Sequence, residues 1–409
     1  MKVLFVAEQL ECGGAERHLV ALASGLVRRG HGAALASLKH GDTLGAALDA
    51  GGVGPRLCCA SRGGLDLRAL GRLHAFVEHQ APQVLVATSH YALMFGALAA
   101  ARAKHPPALV FICHSMDVLR RGALARLRFA VYRQFYRCAA CIVFVCQAQR
   151  RYFAAQGIVP ARAQVIHNGI DLAHFDTDTD TDTQAADTHA ADPDPDAGDP
   201  YTAAAALRAQ YGFGPADLVF GLCAAFREEK RQVDLLAAVA RLRARGFPAR
   251  ALLVGDGALR GSIEACRAQL GLETSVALAG MQHDVRPFIA LCDAMVLTSH
   301  SETFPIATLE YMALGKSVAA SDVGGLREQL ADGENGLLYP AGDIEALTGA
   351  LARLADAGLR RRLGRAALQT VRAHFGEQHM LDRYEALFDE MAAHGPAPGP
   401  APLPAPGRS

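Results

Sequence analysis

From Ser299 to Asp343 the chain reads SHSETFPIATLEYMALGKSVAASDVGGLREQLADGENGLLYPAGD, and two of its carboxylates, Glu302 and Glu310, stand eight residues apart. Thr303, Phe304 and Pro305 follow the first, and a helical run opens at Ile306. Pro305 falls at or just before the first helical position, where a missing N–H is no loss. A helix N-terminus offers unbonded N–H groups and the positive end of a dipole, which suits a diphosphate. Glu302 then precedes the helix, and Glu310 lies about one turn into it, where a carboxylate can accept paired hydrogen bonds from a ribose diol. Two glutamates at this spacing alone read equally well as surface side chains complementing a helix dipole. The continuation through Gly324, Gly325, Glu328 and Gly336 makes the segment specific.

A second segment, FREEKRQVDLL from Phe226, follows a strand-like run and precedes a helical one. Arg227 and Lys230 are three apart and can converge on one anion, each charge-assisted hydrogen bond contributing about 1.5–3 kcal/mol. The lysine can also stabilise a departing nucleotide diphosphate as charge develops on it. The plainer reading is a solvated, charged helix start. A third segment runs Gly13, Gly14, Ala15, Glu16, Arg17 between the first strand and the first helix. Glycine there lets backbone approach a ligand, or simply makes a tight turn. It is not a GxGxxG fingerprint, and neither is Val254, Gly255, Asp256, Gly257 at a strand end where a base or ribose can rest. A nicotinamide dehydrogenase is disfavoured on that ground. His114 closes the run ALVFICH and is placed to meet a sugar hydroxyl or to pack as a buried imidazole. The cysteine spacings, Cys138 and Cys141 among them, lack metal partners and read as buried thiols.

These residues need strands that end beside one another. In the first half, near-continuous apolar runs start at Lys2, Ala33, Gln83, Ala108, Cys141 and Ala163, with helical stretches such as 16–29 and 120–138 between them. In the second half, runs start at Leu218, Ala251, Ser275, Ala294 and Ser317, with helices over 232–245, 259–270, 306–314 and 344–355. Alternation of this kind predicts parallel sheets covered on both faces. Two such units give an α/β protein with twin Rossmann-like domains whose ligands sit at the carboxyl ends of the strands, in a central cleft that the parallel sheets face. Final helical patterns over 358–374 and 378–393 can return across the boundary.

With 409 residues, 51% hydrophobic and 20% charged, the chain can bury two sizeable cores and is not disordered as a whole. No apolar run approaches the roughly 18 residues of a membrane span. The N-terminal run reads as a first strand and not a leader, so the expected location is the cytoplasm, where the ten cysteines stay reduced. The zero net charge is a cancellation. Residues 1–175 carry twenty basic against nine acidic side chains, residues 176–200 none against nine, and residues 201–409 twenty-one against twenty-three. The Asp/Thr/Pro stretch 176–200 reads as a disordered linker insert and the Pro/Gly/Ala stretch 395–409 as a disordered tail, leaving domains over 1–175 and 201–394. Between Asp117 and Asp171 there is no acid, and Arg120, Arg121, Arg126, Arg128, Arg133 and Arg137 crowd one amphipathic stretch. Such a helix can lie on an anionic membrane surface, or pack its apolar side on a sheet and solvate its arginines.

Taken together, the E-x7-E segment with Gly324, Gly325, Glu328, Asn335 and Gly336, the pair Glu229–Lys230, the run Asn168, Gly169, Ile170, Asp171 and the early Gly13–Gly14 resemble the retaining GT-B glycosyltransferases of group 1, or family 4. The resemblance spans the chain from Gly13 to about Asp343 and implies a GT-B fold. It further implies a second domain that binds a nucleotide-sugar donor and a first domain that binds a glycan or lipid-linked acceptor, with no nucleic acid, cofactor or bound metal. Glu310 would hold the ribose, and Glu302 the sugar. Backbone N–H groups near Thr303, Phe304, Pro305 and Ile306 would meet phosphate or sugar. Arg227 and Lys230 would neutralise the diphosphate, Gly14 would approach it from the first domain, Gly255 would sit by the nucleoside, and His114 would contact the sugar. Glu302, His114 and Lys230 are the residues it marks as catalytic. The implied role is hexosyl transfer in lipopolysaccharide or other envelope-polysaccharide synthesis, on the inner face of the membrane. A GT-B epimerase and an idle sugar-nucleotide or membrane-binding module are the competing readings. Two positions depart from the family pattern: Ala225 stands where Arg is frequent, two before Arg227, and Thr303 where Gly is common after the first Glu.

Overall fold

The computed structural model describes residues 1–11, 13–116, 123–175 and 200–394. The proposed linker residues 176–199 and the tail 395–409 lie outside the described residues. The chain divides into two compact units, one of Met1–Asn168 with the chain from Gln378 onward, the other of Gly169–Glu377.

In the first unit, seven strands are all paired in parallel: β1 (Lys2–Ala7), β2 (Gly32–Ser37), β3 (Arg56–Cys58), β4 (Val84–Ala87), β5 (Ala108–Cys113), β6 (Cys141–Phe144) and β7 (Ala163–Val165). Their order is β3-β2-β1-β4-β5-β6-β7. Helices cover the sheet, and Leu4, Val6, Leu85, Phe95, Phe111, Ile142, Phe144 and Phe153 form the core between them. The helix His90–Ala100 is apolar on nearly every side and is buried accordingly.

The helix Glu377–His394 belongs with this first unit through most of its length. Leu381, Tyr384, Leu387, Phe388 and Met391 are buried on it. The contact is close: a Cβ on Gly25 would lie 2.5 Å from the Leu381 methyls. Arg29 pairs with Asp382 and Glu385 at 2.7 Å each, His31 with Glu385 at 2.7 Å, and Arg162 with Glu390. These pairs are solvent-screened and set register more than stability.

The second unit holds β8 (Leu218–Cys223), β9 (Ala249–Val254), β10 (Val276–Gly280), β11 (Ala294–Leu297), β12 (Val318–Ser321) and β13 (Leu337–Tyr339). They are parallel, in the order β10-β9-β8-β11-β12-β13. Phe220, Phe226, Leu235, Leu253, Val296, Tyr339, Leu351 and Leu363 are among its buried core. Chain order reverses between β8 and β11: the connection from β8 leads to β9 on one side and that from β11 to β12 on the other. The loops therefore diverge there and open a crevice at the carboxyl ends, where ligands of open α/β sheets bind.

Every expected strand is present. The edge strand β13, three residues long, escapes the sequence reading because so short a run carries no period of its own, whereas β7, equally short, opens the longer apolar run expected at Ala163. The helices Leu67–Gln80, His90–Ala100 and Gln147–Ala155 lie between strands, where helical stretches are expected without individual bounds, and Pro200–Gln210 precedes β8. The basic stretch is helical over Ala123–Phe135 and tightens into a 3-10 turn at Tyr136–Cys138.

The apolar docking of the last helix leads to a prediction. Phe388→Ala removes a fully buried ring and is expected to cost about 3–5 kcal/mol. Urea unfolding is the measurement; a midpoint equal to that of the parent would contradict the packing described.

Candidate functional site

The crevice between β8 and β11 is spanned by an ion pair. Lys230 comes from the loop after β8 and Glu302 from the loop after β11, and Lys230 Nζ donates to Glu302 Oε1 at 2.6 Å. The Glu302 side chain is 8% exposed and that of Lys230 23%. Ser299 Oγ donates to the same carboxylate oxygen at 2.6 Å. Backbone bonds close the loops on each other: Thr298 Oγ1 donates to the Lys230 carbonyl at 2.7 Å, and the His300 N–H to the Glu229 carbonyl at 2.8 Å.

The helix Ile306–Ala313 starts four residues beyond Glu302, with Pro305 extended at its N-cap. Its placement is fixed through Tyr311, which is fully buried. The Tyr311 hydroxyl accepts from the Cys223 N–H at 2.8 Å and donates to the Cys223 carbonyl at 3.3 Å, so the helix is fastened to the end of β8. Glu310 is buried on this helix. Phe304 is buried, its ring 5.5 Å from that of Phe375, while Thr303, Pro305 and Ile306 are half-buried.

The rest of the motif holds this loop. The Gly325 N–H donates to the Thr303 carbonyl at 2.9 Å, and Gln329 Nε2 to the Pro305 carbonyl at 3.0 Å. Asn335 closes the next turn, accepting from the Ala331 N–H at 2.7 Å and donating to the Gln329 carbonyl at 3.2 Å. At Gly336 a Cβ would meet Leu330 at 3.0 Å and the Val318 carbonyl at 3.2 Å. Thr298, Ser299, Tyr311 and Gln329 are supporting residues that the spacing did not single out; their adjacency to the motif was the one available signal.

Gly255 lies one loop over, after β9. It has φ +137°, and a Cβ there would lie 2.1 Å from the Ala224 carbonyl, so this close approach requires glycine. Arg227 is exposed, just before the 3-10 turn Glu228–Lys230, and its side chain makes no hydrogen bond or ion pair with any described residue. Glu302, Lys230, Arg227, Gly255, Glu310 and the segment Thr303 to Ile306 thus all stand at or beside the carboxyl edge of the second sheet.

Gly14 and His114 belong to the first unit. Gly14 is exposed at the start of the helix Gly14–Arg28, with open space where a Cβ would point. His114 follows β5, and its ring meets that of His18 edge-on at 4.7 Å; His18 also meets Tyr384 at 5.5 Å. Burial lowers His114 to about 4, and burial followed by the neighbouring His114 lowers His18 well below the usual histidine value. Burial also lowers His90, set among Phe111, Tyr132 and Tyr136, to about 4. His114 is therefore a neutral imidazole near pH 7, able to hydrogen-bond a hydroxyl.

Of the membrane-directed arginines, Arg120 and Arg121 lie outside the described residues, as do the side chains of Arg126 and Arg128. Arg133 and Arg137 are exposed, with Arg133 Nη2 donating to the Gly157 carbonyl at 3.3 Å. Phe129, Tyr132 and Phe135 of the same helix pack on the core of the first unit, while Val131 is 47% exposed. Among the described residues no helix is long and apolar enough to cross a membrane.

Comparison with known proteins agrees with this architecture. Residues 217–357 match the model of "Glycosyl transferases group 1", and residues 12–174 that of "Glycosyltransferase Family 4". The lipopolysaccharide core biosynthesis glycosyltransferase LpsE of Rhizobium meliloti is 35% identical over 161 residues, 39% of this chain and 46% of that protein. The N-acetyl-alpha-D-glucosaminyl L-malate synthase of Bacillus anthracis is 31% identical over 183 residues, 44% of this chain and 48% of that protein. The chain thus matches about half the length of these curated relatives. Among solved structures, Anabaena Alr3699/HepE in complex with UDP-glucose superposes with a TM-score of 0.79 at 23% identity, over 95% of this chain and 100% of that one. The likeness places both units in the GT-B fold.

The desolvated imidazoles set an acid limit. Unfolded histidines bind protons near pH 6.5, whereas folded His90 and His114 do so at about 4. Between these values the unfolded chain holds more protons, so the stability from neutral burial is present above pH 6.5 and lost as pH falls toward 4. Urea midpoints at pH 7.5 and pH 5 should differ, and His90→Phe should flatten the dependence. A midpoint constant over that range would contradict the assignment.

Proposed function

The chain belongs to the group 1 glycosyltransferases, and on that premise we propose that it moves a hexosyl group from a nucleotide-diphosphate sugar to a lipid-linked or polysaccharide acceptor, with retention of configuration, in envelope glycan synthesis. The observation that carries this reading is the Lys230–Glu302 pair set across the crevice, four residues before a half-buried helix N-terminus. That arrangement supplies a cation for the diphosphate, a carboxylate for the sugar, and a dipole end for the phosphate oxygens. The names of the relatives support the class: one builds lipopolysaccharide core, and one neighbour is described with UDP-glucose.

In this mechanism the bond from the anomeric carbon to the diphosphate oxygen breaks while the acceptor hydroxyl attacks from the same face. The hydroxyl proton goes to the departing phosphate oxygen, and the sugar passes through a cationic state. Lys230, with Arg227 beside it, offsets the charge growing on the leaving group. Glu302 lies by the sugar, and Glu310 holds the ribose diol. The N–H groups about Thr303 to Ile306 hold phosphate or sugar, and the loop at Gly255 lies by the nucleoside. Gly14 and His114 are the first unit's candidates for donor contact, with His114 as a neutral hydrogen-bonding group. These protein charges take the part a divalent metal would otherwise play. Arg227 takes the place of the arginine absent at Ala225.

UDP with each of several sugars attached is the screen, followed by transfer assays. Glu302→Gln and Lys230→Ala should each lower turnover by about a hundredfold or more, and Arg227→Ala should weaken UDP affinity about tenfold. Folded variants that transfer at the parent rate would remove the site. Product formed from donor alone, as the C2 or C4 epimer, would replace transfer with epimerisation.

For the acceptor's membrane, the acid-free Arg-rich stretch and the exposed Arg133, Val131 and Arg137 support peripheral attachment to the inner, cytoplasmic face. Flotation with vesicles containing anionic lipid should carry the protein upward at low salt, and Arg133→Glu/Arg137→Glu should reduce it. Flotation indifferent to salt and to lipid charge would exclude this attachment.

A further inference from the structure

Arg231 has a backbone conformation that its side chain does not favour. It stands between the 3-10 turn Glu228–Lys230 and the helix Gln232–Ala244 at φ 50°, ψ 43°. This left-handed region crowds Cβ against the following carbonyl, and residues other than glycine stay in it only where their surroundings impose it. Among the described non-glycine residues, Ala60 and Ala81 share a positive φ, and neither adjoins the crevice residues described above.

The surroundings that impose it are on both sides. Before Arg231, the chain is tied to the loop after β11: the Glu229 carbonyl accepts from the His300 N–H at 2.8 Å and the Lys230 carbonyl from Thr298 Oγ1 at 2.7 Å. After Arg231, the chain must enter its helix at once. Asp234, buried at 4% exposure, receives the Arg231 guanidinium with both oxygens, from Nε at 3.3 Å and from Nη2 at 2.8 Å. The Asp234 N–H bonds the Arg231 carbonyl at 2.9 Å. The reversal between these two anchorages falls on one residue, and it is the residue next to the one whose Nζ reaches Glu302.

We infer that Asp234 is a positioning residue for Lys230: by clamping Arg231 in the left-handed conformation it fixes the direction in which Lys230 meets Glu302 and the donor's diphosphate. Asp234 needs no contact with the donor for this. The inference rests on the proposed donor-binding role of Lys230 and adds the element that holds it in place. A lysine is a point charge on a flexible stem, so its value in a preorganised site depends on where its backbone is held. A misplacement of about 1 Å in such a site can cost up to about a hundredfold.

The experiment is UDP titration by calorimetry on the full chain, with transfer kinetics on the same samples. Lys230→Ala tests the underlying reading and should weaken UDP. Asp234→Asn preserves shape and removes the charge and one acceptor; it should weaken UDP about tenfold or more and lower turnover with it. Adding Arg231→Gly in the Asp234→Asn background gives the chain a residue that takes φ near +50° without a clamp, and should recover most of the affinity. A buried aspartate serving only the fold would not be rescued at a neighbouring backbone. If Lys230→Ala weakens UDP while Asp234→Asn does not, the inference is wrong and the donor reading stands. Loss at Asp234→Asn without recovery by Arg231→Gly also overturns it. If Lys230→Ala leaves UDP binding unchanged, the donor reading falls and the inference with it.

Discussion

A carboxylate at 8% exposure facing an ammonium 2.6 Å away is an expensive thing to assemble. Desolvating both ions can cost as much as their attraction returns, and an apolar pair of similar volume is often as stable. The Lys230–Glu302 pair is therefore poor evidence for stability and better evidence for use. Its place in the topology supports that view. The two residues come from loops that leave β8 and β11 in opposite directions, so the pair spans the one crevice that the order of the second sheet opens. Anything that fixes those loops fixes the pair. Ser299 bonds to the Glu302 carboxylate, Thr298 to the Lys230 carbonyl and His300 to the Glu229 carbonyl just before it, and Tyr311 fastens the following helix to the end of β8.

The long motif divides along the same line. Its early part, Glu302 to Glu310, carries the groups to which the proposed function gives chemistry. Its later part carries groups that hold the early part still: the Gly325 N–H on Thr303, Gln329 on Pro305, Asn335 within its own turn, and Gly336 where a side chain has no room. The later residues read in the sequence as a signature without a stated task. Their task is geometric, and most of it runs through backbone groups, which no residue type announces.

The legibility of the chain follows from the range of its signals. Strands buried on both faces betray themselves as apolar runs, so β1, β5, β6 and β8 were plain. The edge strand β13, at three residues, has too few positions to show a period. The helix His90–Ala100 has no polar face to mark it as a helix, so its sequence shows an apolar run alone. At the site, Lys230, Glu302 and the loop before Ile306 could be named because charge, proline and spacing are local. The Arg231 conformation, the Asp234 clamp and the His18–His114 contact join residues through space or through a dihedral angle, and the sequence holds no trace of them beyond the residues themselves.

The two departures from the family pattern gain a physical content. Thr303 is not in the left-handed region, so the backbone there does not require glycine. Its carbonyl is already used by Gly325. What threonine adds is a branched side chain at a half-buried position beside Glu302, which alters the space next to the carboxylate and leaves the loop's path alone. At Ala225 the backbone is committed too, its carbonyl taken by Gln232 Nε2 at 2.9 Å and by the Arg227 N–H at 2.9 Å. Arg227, two residues on, opens the same rigid turn that ends in Lys230, whose N–H bonds the Arg227 carbonyl at 3.1 Å. A cation moved from 225 to 227 thus stays mechanically coupled to the lysine. With alanine at 225 and arginine at 227, two positive charges stand on a single short turn, an arrangement suited to the diphosphate of the proposed donor.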